Sequence, residues 1–156
     1  MRKLIYQIAQ SICRALEAPK PKVKPLVVSS FRIKAELDAM KLSSLYYGAL
    51  LDHYQDYYYV SSEDWAKIFD WIYFVYDMPD YMVAKFDCDG FAIFLMGLVQ
   101  ANFGLNSFGL VIGTTPAGGH AWNLFRTEDG WLNLEPQSGD FFEIGKKGYL
   151  PQHIFI

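Results

Sequence analysis

The sequence predicts an α+β domain, with helices first and a small antiparallel sheet after them. Three observations carry this. Apolar residues recur at helical spacing in the first two thirds of the chain. Beyond Gly104 the period shortens, and "SFGLVIGTT", "HAWNLFRT" and "WLNLEPQ" read as aromatic or β-branched strands between glycine turns. With 156 residues and a hydrophobic fraction of 52%, the chain has length and apolar content for one domain with a full core.

In "MRKLIYQIAQSICRALE", apolar positions 4, 5, 8, 12, 13 and 16 share one helical face. Gln7 and Gln10 interrupt the apolar run, which ends in Arg14 and Glu17, so residues 1–17 read as an amphipathic helix rather than a secretion leader. "APKPKVKPL", residues 18–26, is a proline- and lysine-rich linker. Residues 27–156 then form a single α+β domain. Residues 31–56 read as helix, since they contain no proline and few β-formers early on. The tyrosines of "DHYQDYYYV" (52–60) suit either a helix–helix seam or an interaction face. "SSEDWAKIFDWIYFVYDMPD" opens with a capping-box-like Ser61 and Asp64 and closes before Pro79. "DGFAIFLMGLVQANFG" (89–104) is a third helix stopped by Gly104. "TEDG" (127–130) turns one strand into the next, and the tail from Phe141 adds one more short strand or extended segment.

Composition narrows the classes of function. A net charge of −3 does not suit a nucleic-acid surface, and the lysine run at 20, 22 and 24 is short and proline-broken, as in a solvated linker. No uninterrupted apolar run reaches the roughly 18 residues of a membrane span. Two cysteines, Cys13 and Cys88, do not make a disulfide framework, so a reducing compartment or simply two free thiols is expected, and without a convincing leader the cytoplasm or a larger assembly is favoured.

In "KFDCDGF", Cys88 stands between Asp87 and Asp89 at the start of the third helix. Carboxylates disfavour a thiolate, whereas a helix N-terminus favours one. The two aspartates suit caps of that helix. A base is available in His120, after the glycine pair Gly118 and Gly119. Strand alternation puts His120, Trp122, Leu124 and Arg126 on one face, and Trp131, Asn133, Glu135 and Gln137 on one face of the next strand. An even turn count places Glu135 on the same side as His120. In the register that opposes Arg126 to Trp131 they are diagonal neighbours. Thiol, imidazole and orienting carboxylate would then converge, with Gln137 as fallback orienter and Asn123 on the opposite face. Each residue also has a plain structural reading: a core thiol, a satisfied strand histidine, a strand-end acid.

"DCDGFAIFL", "GHAWNLF" and "GWLNLEPQ" resemble the three motifs of transglutaminase-like and papain-like thiol enzymes. Glu135 stands where the transglutaminase-like branch has Asp. In this the chain is similar to the calcium-dependent, papain-like protease domain attached to a fungal agglutinin, with its Cys-His-Glu set. The acid after the cysteine resembles bacterial transglutaminase-like cysteine proteinases, and "DCDG" resembles the "DCSG" of bacterial cell-wall endopeptidases. The resemblance covers roughly residues 80–140. It implies a papain-like or transglutaminase-like core and a cysteine peptidase that cleaves a peptide or isopeptide amide through a Cys88 thioester. His120 would be the base and Glu135 the orienter. Tyr81 and Lys85 become oxyanion candidates, and Trp122, Gly118 and Gly119 candidates for the substrate cleft. No cofactor is required, although calcium could sit on Asp87 and Asp89 beside Asp77 and Asp80. The partner would be a peptide or protein, and the N-terminal segment could shield the cleft. The alternatives are a non-catalytic binding or structural module on the same fold, a transamidase, or a cell-wall peptide hydrolase.

Overall fold

Local sequence sets the helix ends. A computed structural model describes residue 16, residues 18–45 and residues 56–156. The expected helix over 1–17 and Cys13 fall outside these residues, apart from Leu16. Strand β1 (Leu26–Ser29) leads into helix α1 (Ser30–Ala39), whose N-cap Ser29 accepts from the Arg32 amide. Helix α2 (Ser62–Val75) is capped by Ser61, which accepts from the Asp64 amide, with Glu63 and Asp64 in the positive first turn. Helix α3 (Cys88–Phe103) ends at Gly104, which takes the left-handed conformation with φ 65°.

The expected helix over 31–56 is corrected. Helix α1 stops at Ala39, and Lys41, at φ 59°, turns the chain so that the Leu42 amide reaches the Leu37 carbonyl. A short 3-10 turn follows (Ser43–Leu45), and by Asp56 the chain is in strand β2 (Asp56–Tyr59), antiparallel to β1. Tyr57 is buried in the core, and the tyrosine run before Val60 is made of strand formers that pair with β1. The tyrosines at 57–59 therefore lie on a strand, and residues 46–55 are outside the described set.

The main sheet is antiparallel and five-stranded, in the order β6-β5-β4-β3-β7: β3 (Phe108–Thr115), β4 (Gly118–Thr127), β5 (Gly130–Glu135), β6 (Asp140–Glu143) and β7 (Leu150–Phe155). The tail thus supplies two strands on opposite edges, and β7 returns to pair with β3. One face carries α2 and α3, through Trp65, Phe69, Leu95 and Val99 packed on Phe108, Phe125 and Leu134. The other carries α1 and the β1–β2 pair, through Ile33, Leu37 and Tyr57 on Trp122, Leu124 and Trp131. The architecture is α+β in three layers, as the sequence predicts at that coarse level. No helix among the described residues is long and apolar enough to cross a membrane.

The layer of α1 is fastened by charge as well as by packing. Glu36 receives Arg126 Nε and Nη2 at 2.9 and 2.8 Å, Trp131 Nε1 at 3.0 Å and Arg32 Nε at 2.9 Å. Burial alone would raise its pKa, but these donors, Arg126 foremost, hold it down at about 2 from 4.5. The ring of Tyr59 lies 4.1 Å from the Arg126 guanidinium carbon. A depressed carboxyl contributes stability above its unfolded pKa and loses it as pH falls through the folded one. The Glu36 contribution should therefore be complete above pH 4.5 and decline toward pH 2. Glu36→Gln is expected to lower unfolding free energy at neutral pH by about 2 kcal/mol, less than for a fully buried pair because the site is partly wet. Urea melts at neutral and acid pH check this, since the deficit should shrink in acid. A constant deficit would show that the charge is not what fastens α1.

Candidate functional site

The β4–β5 hairpin places the candidate side chains. Arg126 opposes Trp131 and Asn123 opposes Leu134, the register that brings Glu135 toward His120 on one face. His120 Nε2 and Glu135 Oε2 stand 2.6 Å apart, with side chains 18% and 13% exposed. The Tyr149 hydroxyl donates to the same Oε2 at 2.9 Å, and the Gln137 amide donates to Oε1 at 3.3 Å. Burial pushes the Glu135 carboxyl up, but the hydrogen bonds from His120 and Tyr149 outweigh it and hold its pKa below the ordinary value. Glu135 is thus ionised at neutral pH and accepts, so Nε2 carries the proton and Nδ1 is the ring nitrogen left to a ligand. Burial and the adjacent carboxylate push the Tyr149 phenol up to about 12, so it stays a donor.

Aromatic rings fix the imidazole from two sides. Trp122 stacks on His120 at 6.2 Å and 21°, and Tyr149 stands edge-on to both rings. Trp122 itself is fully buried, with Nε1 donating to Asn133 Oδ1 at 2.9 Å. The expectation that Trp122 lines a cleft is corrected: its size and its neighbours place it in the core beneath His120. Gly118 and Gly119 are exposed at the start of β4, and a Cβ on either would meet nothing within 4 Å. They leave the approach to His120 open. Gln137 serves through its backbone amide, not its side chain. Asn123 is buried on the other face, bonded to the Ala92 and Gly109 carbonyls.

Cys88 opens α3, half-buried against Ala92, Leu110 and Ala121. Helix α3 covers the face opposite to the one that carries Trp122 and Leu124. Among the described residues no hydrogen bond joins Cys88 Sγ to His120. The two aspartates depart from simple helix caps. Asp87 is the N-cap residue, yet its side chain makes no capping bond and instead accepts from the Ala84 amide at 3.1 Å. Asp89 accepts from the Gly90 amide at 2.8 Å. A hydrogen bond between the two carboxyls lowers the Asp87 pKa and raises that of Asp89. Lys85 lies on the tight turn closed by the Met82–Phe86 bridge, and Tyr81 just precedes it. The Tyr81 ring, 55% exposed, stacks on Phe91, and the Lys85 amide is spent on the Met82 carbonyl. No bond joins either to the His120–Glu135 pair. Among the described residues no three His, Cys, Asp or Glu side chains are placed to hold a metal ion.

Sequence reasoning missed Tyr149. It follows the "GKKG" turn ahead of Pro151, and nothing local marks it. Only the return of β7 to β3 carries it to Glu135.

No family model and no curated protein matches the chain. Solved structures share its fold, two of them as follows. One is Polyporus squamosus lectin bound to the human-type influenza-binding epitope Neu5Acα2-6Galβ1-4GlcNAc, at 22% identity and a TM-score of 0.60. The other is a PSL1a-E64 complex, at 22% identity and 0.62. Each alignment covers 84% of this chain and 50% of the solved one, so the chain spans half the length of those it matches. The likeness is one of fold. This corrects the expected cysteine peptidase with a catalytic triad: a solved structure that shares the fold is of a lectin, and no peptidase family model matches. Among the described residues the acid and the imidazole are paired, and no hydrogen bond ties the thiol to them.

Tyr149→Phe keeps the ring and removes one donor. The Glu135 pKa should rise toward the ordinary carboxyl range, and stability should fall by about 1.5–3 kcal/mol for a bond to a charged acceptor. Carbon-13 titration of the Glu135 carboxyl measures this directly. An unmoved titration would mean that the phenol does not support the acid.

Proposed function

We propose that this chain is a non-catalytic binding module and that its ligand is a glycan. The observation that carries the reading is the saturation of Glu135. Its two oxygens take the imidazole, the phenol and a backbone amide. A carboxylate so engaged holds a shape, and it fixes the imidazole of His120 beside the exposed Gly118 and Gly119. A sugar hydroxyl both donates and accepts, and so suits an imidazole nitrogen of either charge. The fold likeness to a lectin bound to a sialylated trisaccharide supports the ligand class. On this reading the motif resemblance to transglutaminase-like thiol enzymes marks a shared scaffold whose chemistry is not used.

Calorimetric titration with Neu5Acα2-6Galβ1-4GlcNAc and a panel of neutral and acidic glycans tests the proposal. Saturable binding is expected, weakened about tenfold in His120→Ala through loss of roughly 1.4 kcal/mol of hydrogen bonding. Failure of the whole panel to bind overturns the ligand class. Release of product from a peptide mixture, abolished in Cys88→Ser, overturns the non-catalytic reading.

A further inference from the structure

Helix α3 carries a glycine that no local demand explains. Gly97 stands in mid-helix, where glycine is among the poorest helix formers, and its backbone is not left-handed. A Cβ built on it would meet nothing within 4 Å. At Gly90 in the same helix a Cβ would press on the Phe86 ring at 3.1 Å, so packing accounts for that glycine and not for this one.

The space at Gly97 opens into a cavity of about 450 Å³ between α3, β2, β3 and the residue that follows β7. Met96 and the buried Tyr57, Phe108 and Ile156 give it apolar walls. A second glycine seats one of these walls. A Cβ at Gly109 would strike the Phe155 carbonyl oxygen and come within 2.8 Å of Ile156 Cγ1, so glycine is what lets Ile156 lie against β3. The opposite wall is fixed by hydrogen bonds. Asn106 Oδ1 accepts from the Tyr58 amide at 2.6 Å, and Asn106 Nδ2 donates to the Asp56 carbonyl at 3.2 Å. The Ser107 hydroxyl donates to the Tyr58 carbonyl at 2.8 Å. Strand β2 is thereby stapled to the start of β3, and Tyr57 is held in place. The cavity is formed before any ligand arrives, as small-molecule sites mostly are, and its volume lies in their range.

Its lining sets the chemistry of the occupant. No charged side chain is among the described residues that line it, so a charged ligand would lose its hydration and gain no counter-charge. Asn106 is already spent on the scaffold. Gln100, exposed at the mouth three residues beyond Gly97, brings a carboxamide that both donates and accepts. We propose that this cavity is a second binding site, for a small uncharged amphiphile: a ring-sized apolar body with one hydroxyl or amide head that meets Gln100. Gly97 lies nine residues along α3 from Cys88, about 13 Å away. None of the lining residues is among the hydrogen-bond partners of His120, Glu135 or Tyr149. The proposal does not depend on what that pair binds.

Methyl-detected nuclear magnetic resonance at Met96 and Ile156, during titration of the full chain with benzyl alcohol, tests it. Saturable shifts are expected at both methyl groups. The charged analogues benzoate and benzylamine should bind at least about tenfold more weakly, because burial would strip them of water. Gly97→Leu puts a side chain into the open mouth and should abolish binding, while its unfolding midpoint stays level or rises as glycine leaves the helix. Gln100→Leu keeps the cavity and removes the partner of the head group. It should weaken benzyl alcohol about fivefold and leave toluene binding in place. No saturable shift, equal binding of the charged analogues, or full binding by Gly97→Leu overturns the site. Unchanged benzyl alcohol binding in Gln100→Leu overturns the assignment of the head group to Gln100.

Discussion

Strand β4 is buried without a break from Ala121 to Thr127, because helices cover one face of the sheet and α1 with the β1–β2 pair covers the other. A strand so enclosed cannot leave its polar groups to water. Arg126 therefore draws Glu36 across from α1, Trp122 takes Asn133 from the neighbouring strand, and Asn123 reaches the Ala92 and Gly109 carbonyls. The same logic operates at the half-open end of the strand, where His120 finds Glu135 and Glu135 finds Tyr149. The candidate site is the last member of a series of polar pairings that begins in the core. Its rigidity comes from there, since Trp122 beneath the imidazole has no freedom to move.

Enclosure also sets the surroundings of Cys88. Helix α3 packs its start against Leu110 and Ala121, and Cys88 settles among small apolar neighbours. The carboxyls around it are engaged locally, Asp87 with the Ala84 turn and Asp89 with the first turn of α3. Ala84 sits at φ 59°, a conformation that a non-glycine residue holds only when its surroundings insist, and the Asp87 carboxylate on its amide is part of that insistence. The aspartates beside Cys88 thus stabilise the turn that leads into the helix.

Much of this was legible in the residues. Alternation along "HAWNLFR" and "WLNLE", with an even turn count, was enough to pair His120 with Glu135, because strand periodicity leaves only two faces to choose from. Ser61, Pro79 and Gly104 marked helix ends for reasons of backbone geometry. What was not legible depended on distant partners. Tyr57 to Tyr59 are strand formers that were read as part of a seam or interaction face, and pairing with β1 settles them as a strand. Trp122 reads as a cleft residue until the second layer is seen to cover it. Tyr149 joins the site only through the return of β7, and the linker at 18–26 reads as solvated until Trp71 and Val23 pin it.

Whether this chain binds rather than catalyses is tested most directly by alkylation of Cys88. The rate of iodoacetamide capture at Cys88, located by mass spectrometry across neutral pH, would be compared between the wild type and His120→Ala. A binding module should show the same pH profile and rate in both. Fast capture near neutral pH that disappears with the imidazole would contradict it, and would place a working thiol–imidazole pair in this fold.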